Sequence, residues 1–124
     1  MGRRRIEPWA GSWEIPGGFC DQGEHPADTA VREAFEELGL HVVLDDLLGV
    51  YLHPVPDPVD HAFRQVTVYL GHSHGELSGP SPEVSESGWF DLDDLPDPVV
   101  PNHLDRLRDL ASGRPPLLVG RSEG

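Results

Sequence analysis

The stretch that most restricts how this chain folds is GFCDQGEHPADTAVREAFEELGL, running from Gly18 to Leu40. Pro16, Gly17 and Gly18 lead into it as a turn in which absent side chains let backbone approach a ligand or ion closely. Pro26 suits the first position of a helix, and Gly39 ends one in a left-handed conformation, which predicts a helix over 27–38. Positions 33, 36 and 37 are three or four apart, so Glu33, Glu36 and Glu37 share one helix face. Val31, Ala34, Phe35 and Leu38 supply the opposite, buried side, with Phe35 read as core and not as a base-stacking residue. Any fold of this chain must therefore seal one side of the helix and leave its acidic side open beside the glycine turn.

Three carboxylates that close repel one another. A hard divalent cation relieves the repulsion, and Mg²⁺ held this way, with Mn²⁺ as the alternative, keeps waters and bridges to substrate phosphates. Arg32, four residues before Glu36, is placed to neutralise part of the charge and to orient a glutamate. The competing reading is an exposed helix whose glutamates are merely solvated. The Gly-Gly turn, Glu24 and the Arg32-Glu33 pair argue against it.

Nine basic residues against 22 acidic ones give a net charge of −13. Such a surface repels nucleic-acid polymers and anionic membranes and favours a small nucleotide substrate drawn in by metal. At 124 residues the chain has room for one domain with a sizeable core. Cys20 is the sole cysteine and cannot form an internal disulfide, which fits a reducing compartment; no His or Asp constellation marks it as a catalytic thiol. The sequence has no apolar run of the roughly 18 residues that a spanning helix needs, nor an apolar stretch after Arg3, Arg4 and Arg5, so a cytoplasmic protein is expected.

Strands are predicted at 41–44, 46–52 and 62–70, the last carrying Val66, Val68 and Leu70 at period two. Pro54, Pro56 and Pro58 make the segment between the last two a stiff loop that also holds Asp57 and Asp60. Gly71 to Pro82 reads as a polar loop. Its His72 and His74 alternate as metal ligands can, but no third ligand is evident, and exposed loop histidines are the commoner reading. Glu86 to Leu92, with Trp89 and Phe90, is a short strand, and a second helix runs from Asn102 or His103 to Ala111 with Leu104, Leu107 and Leu110 inward. Strand, loop, helix, several strands and a final helix make an α+β fold with a mixed sheet.

The 23-residue stretch also fits, at every specified position, the Nudix signature of Gly, five residues, Glu, seven residues, then Arg-Glu-aliphatic-x-Glu-Glu-x-Gly-aliphatic, with Ala34 and Leu40 in the aliphatic slots. GWFDLDDLP resembles the family's Trp-Phe, acidic, Leu-Pro approach to the last helix. The chain thus resembles a Nudix hydrolase, of MutT-like or ADP-ribose pyrophosphatase-like type, as a single domain over 1–124. The resemblance implies an α/β/α sandwich and a pyrophosphohydrolase that cuts between phosphates. Its metal shell would be Glu33, Glu36 and Glu37 with the Gly17 carbonyl added. The family draws its general base from the signature or from a later loop; Glu83, or else Glu86, is the loop candidate here, and Glu83 is equally at home as a surface residue. Arg32, Glu33, Glu36, Glu37 and Glu83 form the expected catalytic set, while Glu24 stabilises the loop or an outer metal site.

One departure stands out. Only seventeen residues precede the signature, and Arg3-Arg4-Arg5-Ile6-Glu7-Pro8-Trp9 resembles what normally follows an N-terminal strand, so that strand is expected to be missing. A misplaced start, a truncation or a homodimer whose partner fills the gap would each account for it. Pro56 lies sixteen residues beyond Leu40, as in the ADP-ribose pyrophosphatase subgroup, but the neighbouring prolines empty that hint of weight. The substrates to weigh are ADP-ribose or a related nucleotide sugar, a nucleoside triphosphate, or another diphosphate, with Trp9, Trp13, Phe19 or Tyr51 as base-stacking candidates. A non-catalytic nucleotide-binding or regulatory module is the alternative from a different class.

Overall fold

A computed structural model describes residues 1–54, 63–113 and 117–119. The elements are β1 (Gly2–Arg4), β2 (Trp13–Glu14), α1 (Pro26–Leu38), β3 (His41–Pro54), β4 (Phe63–His74), β5 (Val84–Ser87), α2 (Pro101–Ala111) and β6 (Leu117–Val119). They form two three-stranded sheets, ordered β2-β1-β5 and β4-β3-β6. The first is antiparallel throughout, whereas β3 pairs antiparallel with β4 and parallel with β6, so the second is the mixed sheet expected.

Helix α1 starts at Pro26, one residue before the predicted boundary. His25 is its N-cap, with Nδ1 accepting the Ala27 amide at 3.0 Å. Gly39 ends it at φ 74°, its amide donating to Phe35 O at 2.9 Å. A Cβ on Gly39 would also lie 2.8 Å from Ser78 Cβ, so both the conformation and the space demand glycine. Ala34 and Leu38 are buried, as expected, and Leu38 reaches the first sheet, 3.4 Å from where a Gly2 Cβ would stand. Gly2 thus lets the helix and Val84 of β5 close over β1.

The structure corrects several sequence expectations. Gly2–Arg4 are themselves the central strand of the first sheet, and do not merely follow a strand. Phe35 is not core. It is 53% exposed and packs its ring 4.9 Å from that of His41, because the sheet covers only the Ala34–Leu38 edge of the helix; Val31 is exposed as well. The segments 41–44 and 46–52 are one strand, β3, interrupted by register shifts at Leu44/Asp46 and Leu47/Gly49. Pro54 closes that strand and does not open a loop. β4 runs on to His74, so His72 and His74 are strand residues, paired with Val43 and His41. β5 lies at 84–87, and Trp89 and Phe90 follow it outside any strand. Leu104, Leu107 and Leu110 are half-buried, and the buried residue of α2 is Arg106. Pro56, Pro58, Asp57 and Asp60 lie outside the described residues. Among the described residues no helix is long and apolar enough to cross a membrane.

Candidate active site

The glycine turn is tied to the last turn of α1: the Gly17 amide donates to Glu37 Oε2 at 3.0 Å. Gly18 lies against the preceding turn of the helix, where a Cβ would meet Glu33 Oε1 at 2.5 Å. Backbone and carboxylates therefore face each other as closely as the turn's composition suggested.

Arg32 organises the outer side of this arrangement. Its Nε and Nη2 donate to the two oxygens of Glu24, each at 2.9 Å, and Nη1 donates to both Glu33 Oε1 and Glu36 Oε2 at 3.1 Å. Nη2 also reaches Phe19 O at 3.3 Å. Glu24 further accepts the Asp21 amide at 3.0 Å and the Thr29 hydroxyl at 2.7 Å. The Arg32 bonds, then the Asp21 amide and the Thr29 hydroxyl, hold the Glu24 carboxyl at about 2, and the same pair raises the Arg32 guanidinium. Glu24 thus stabilises the loop, and Arg32 bridges loop to helix.

The inner side carries uncompensated acid. Burial, opposed by the Gly17 amide and reinforced by Glu14, Glu33 and Glu83, pushes the Glu37 carboxyl up to about 8. Burial likewise raises Glu33 against the pull of Arg32, with Glu36 and Glu83 adding to the rise. Glu14 is raised by burial too, opposed by Arg4 at 3.1 Å and reinforced by Glu83. The charge of Glu83, at the approach to β5, acts on all three.

Gly17 thus meets Glu37 and Gly18 meets Glu33, while Glu83 and Glu14 act on Glu37 through their charge. Glu14 escaped the sequence reading; its place at the end of the strand that feeds the glycine turn was the available signal. Glu36 is turned outward, its side chain 53% exposed against 15% for Glu33. Glu86 engages Arg3 at 3.4 Å instead of this group. Among the described residues, no three His, Cys, Asp or Glu side chains are grouped as a ligand set in their present rotamers. Cys20 is exposed, and His72 pairs with Asp45 at 2.9 Å.

Of the aromatic candidates, Trp13 is buried edge-on against Phe90 at 5.0 Å, and Tyr51 is buried with its hydroxyl donating to Asp109 at 2.9 Å. Trp9 and Phe19 are 53% and 69% exposed. Helix α2 meets the strand leading to the turn, where His103 Nδ1 accepts the Ile15 amide at 3.0 Å.

Known proteins resemble the chain in sequence and fold. The chain is 38% identical over 94 residues to the ADP-ribose pyrophosphatase of Methanocaldococcus jannaschii, covering 76% of this chain and 54% of that protein. It is 49% identical over 85 residues to nucleoside diphosphate-linked moiety X motif 6 of Xenopus laevis, covering 68% of this chain and 39% of that protein. The chain thus spans about half the length, or less, of these curated relatives. Its fold is similar to the crystal structure of a MutT NUDIX hydrolase from Burkholderia pseudomallei, with a TM-score of 0.75, 34% identity, and coverage of 88% of this chain and 84% of that one. The NUDIX domain profile matches residues 1–110, which takes in both sheets' opening strands, the glycine turn, the acidic helix and nearly all of α2, and the chain belongs to the NUDIX family.

Proposed function

We propose that this protein hydrolyses the diphosphate bond of a nucleoside diphosphate linked to another moiety, with ADP-ribose or a related nucleotide sugar ahead of nucleoside triphosphates. The observation that carries this reading is the contact of the glycine turn with the acidic face of α1: Gly17 N–H on Glu37, and Glu33 filling the space over Gly18. The name of the Methanocaldococcus relative orders the substrates.

The donor set suits a hard divalent cation. All its side-chain atoms are carboxylate oxygens, and Glu14, Glu33 and Glu83 add negative charge around a half-buried Glu37 whose donor is one backbone amide. Glu33, Glu36 and Glu37 with the Gly17 carbonyl would hold Mg²⁺ or Mn²⁺, and Arg32 would exchange its bonds to Glu33 and Glu36 for that role. Such an ion supplies charge neutralisation at the phosphates and a more acidic water. The chain's own residues do the rest. Arg32, anchored by Glu24, orients Glu33 and Glu36 until the ion takes their oxygens, and the turn positions the backbone against the diphosphate. Glu83, exposed and with its charge felt at Glu33 and Glu37, accepts the proton of the attacking water.

A nucleotide-binding module without turnover is the rival reading, favoured by the hold of Arg32 on both Glu33 and Glu36. Release of mononucleotide from ADP-ribose, NADH, nucleotide sugars and nucleoside triphosphates, with Mg²⁺ and with chelator, separates the two. Metal-dependent turnover reduced at least about 100-fold in E37Q is expected. Affinity without product, in folded protein, would establish the binding module.

A further inference from the structure

The strongest anomaly outside the acidic group is Arg106. Arg3 bonds Gly11 O and Glu86, Arg4 bonds Pro8 O and Glu14, Arg5 bonds Ser81 O, Arg32 bonds Glu24, and Arg108 lies 4.0 Å from Asp105. Arg106 is 5% exposed, and its buried Nε has no hydrogen-bond partner. Its guanidinium stands 5.2 Å from the centre of the Tyr51 ring. Tyr51 turns its hydroxyl to Asp109, and Asp105 lies toward Arg108. Asp105 therefore acts on Arg106 only through its charge, with no hydrogen bond or ion pair between them, and the Tyr51 hydroxyl is used on Asp109.

Packing does not explain this residue. An arginine used for its stem leaves its head in water, whereas here Nε is out of solvent in a residue only 5% exposed. A buried charge without a counter-ion is strongly unfavourable, and contact with an aromatic face offsets only part of that. In a chain of net charge −13, a buried guanidinium with an unbonded Nε–H and no ion pair among the described residues points to an anion that arrives from outside.

Its position says which anion. Arg106 follows His103 by one helical turn, and His103 accepts the amide of Ile15, two residues before Gly17. Helix α2, which carries Arg106 over the Tyr51 ring, is thus tied to the residues that lead into the glycine turn. We propose that Arg106, backed by Tyr51, is the receptor for an anionic oxygen group, a phosphate or carboxylate, that the substrate carries at a point remote from the diphosphate being cut. The assignment rests on the diphosphate-hydrolase reading and adds a second acidic group to the substrate class. The fully charged guanidinium selects an anion over a neutral carbonyl, since only an anion offsets the buried charge as well as the free N–H.

Inorganic phosphate is the probe, applied to the full chain. In the presence of chelator, phosphate is expected to raise the melting temperature of the wild type saturably and to leave R106M unmoved. R106M without phosphate should melt at or above the wild-type temperature, because an apolar side chain of similar length replaces an unpaired charge. In turnover assays with Mg²⁺, phosphate should compete with substrate in the wild type and not in R106M. R106M should also raise KM about tenfold with kcat within about threefold. R106K, which keeps the charge and loses Nε, should retain a weakened phosphate response. Equal phosphate stabilisation of wild type and R106M, no response in either, or a collapse in stability of both variants would overturn the assignment. Phosphate that binds through Arg106 without competing against substrate would overturn its substrate-borne form. A wild type that turns over nothing would refute the hydrolase reading alone, since the chelator experiment still reports on Arg106.

Discussion

Replacing Gly18 by alanine separates the geometry of the acidic site from the stability of the fold. The new methyl would stand 2.5 Å from Glu33 Oε1, 2.6 Å from its Cδ and 3.0 Å from Oε2. Ordinary contact requires the carboxyl to retreat by about 1 Å. Gly18 does not occupy the left-handed region, so alanine brings no backbone strain, and what must give is the end of a side chain. The loss in stability is bounded by the Glu33–Arg32 bond at 3.1 Å. For a partly exposed pair that is about 0–1 kcal/mol, a fall in Tm of no more than about 5 °C. Activity should respond far more, because a displacement of about 1 Å in a positioning group can cost about 100-fold. The assay is mononucleotide release at saturating Mg²⁺ and on Mg²⁺ titration, alongside thermal unfolding. A roughly 100-fold fall in kcat, a higher Mg²⁺ requirement and near-native Tm are expected. Turnover within about threefold of wild type would refute the placement of Glu33 in the working site. A fall in Tm well beyond 5 °C would refute the claim that only the carboxyl moves.

Two further outcomes test the frame around the site. Because Glu24 is held at about 2, below its ordinary value of 4.5, its bonds stabilise the fold above pH 4.5 and lose that contribution as pH falls toward 2; urea midpoints of wild type and E24Q should differ clearly at pH 6 and converge near pH 2, and a constant gap would count against the Glu24–Arg32 link. Gly39→Ala, at φ 74° with Ser78 Cβ 2.8 Å from the new atom, should destabilise by about 1–3 kcal/mol in urea unfolding, and a neutral result would show that the cap relaxes freely.

The residues of the turn and helix were legible because their constraints are local. Pro26, Gly39 and the spacing of Glu33, Glu36 and Glu37 act through helix geometry, which needs no distant partner to be read. The same locality misled for Phe35 and Val31. Helical periodicity says which residues share a face, but the width of the covering sheet decides how much of that face is buried. For His72 and His74, glycine and serine neighbours suggested a loop, and pairing with β3 across twelve registered positions overrode them. Trp89 and Phe90 looked like strand residues by type, yet Phe90 serves as an edge-on partner for Trp13.

From the sequence alone came the family signature, the acidic helix face, the turn opposite it, and a mixed α+β architecture, all of which depend on residue type at short, regular spacing. Only the tertiary structure decided that Glu14 and Glu83 add their charge at Glu37, that Arg32 gathers Glu24, Glu33 and Glu36, that Glu86 goes to Arg3, and that Arg106 is buried beside Tyr51 with its Nε–H unbonded. Each of these joins residues from separate elements or depends on what a neighbouring element encloses. Desolvation and Coulomb interaction depend on distance through space, so no periodicity along the chain can show them.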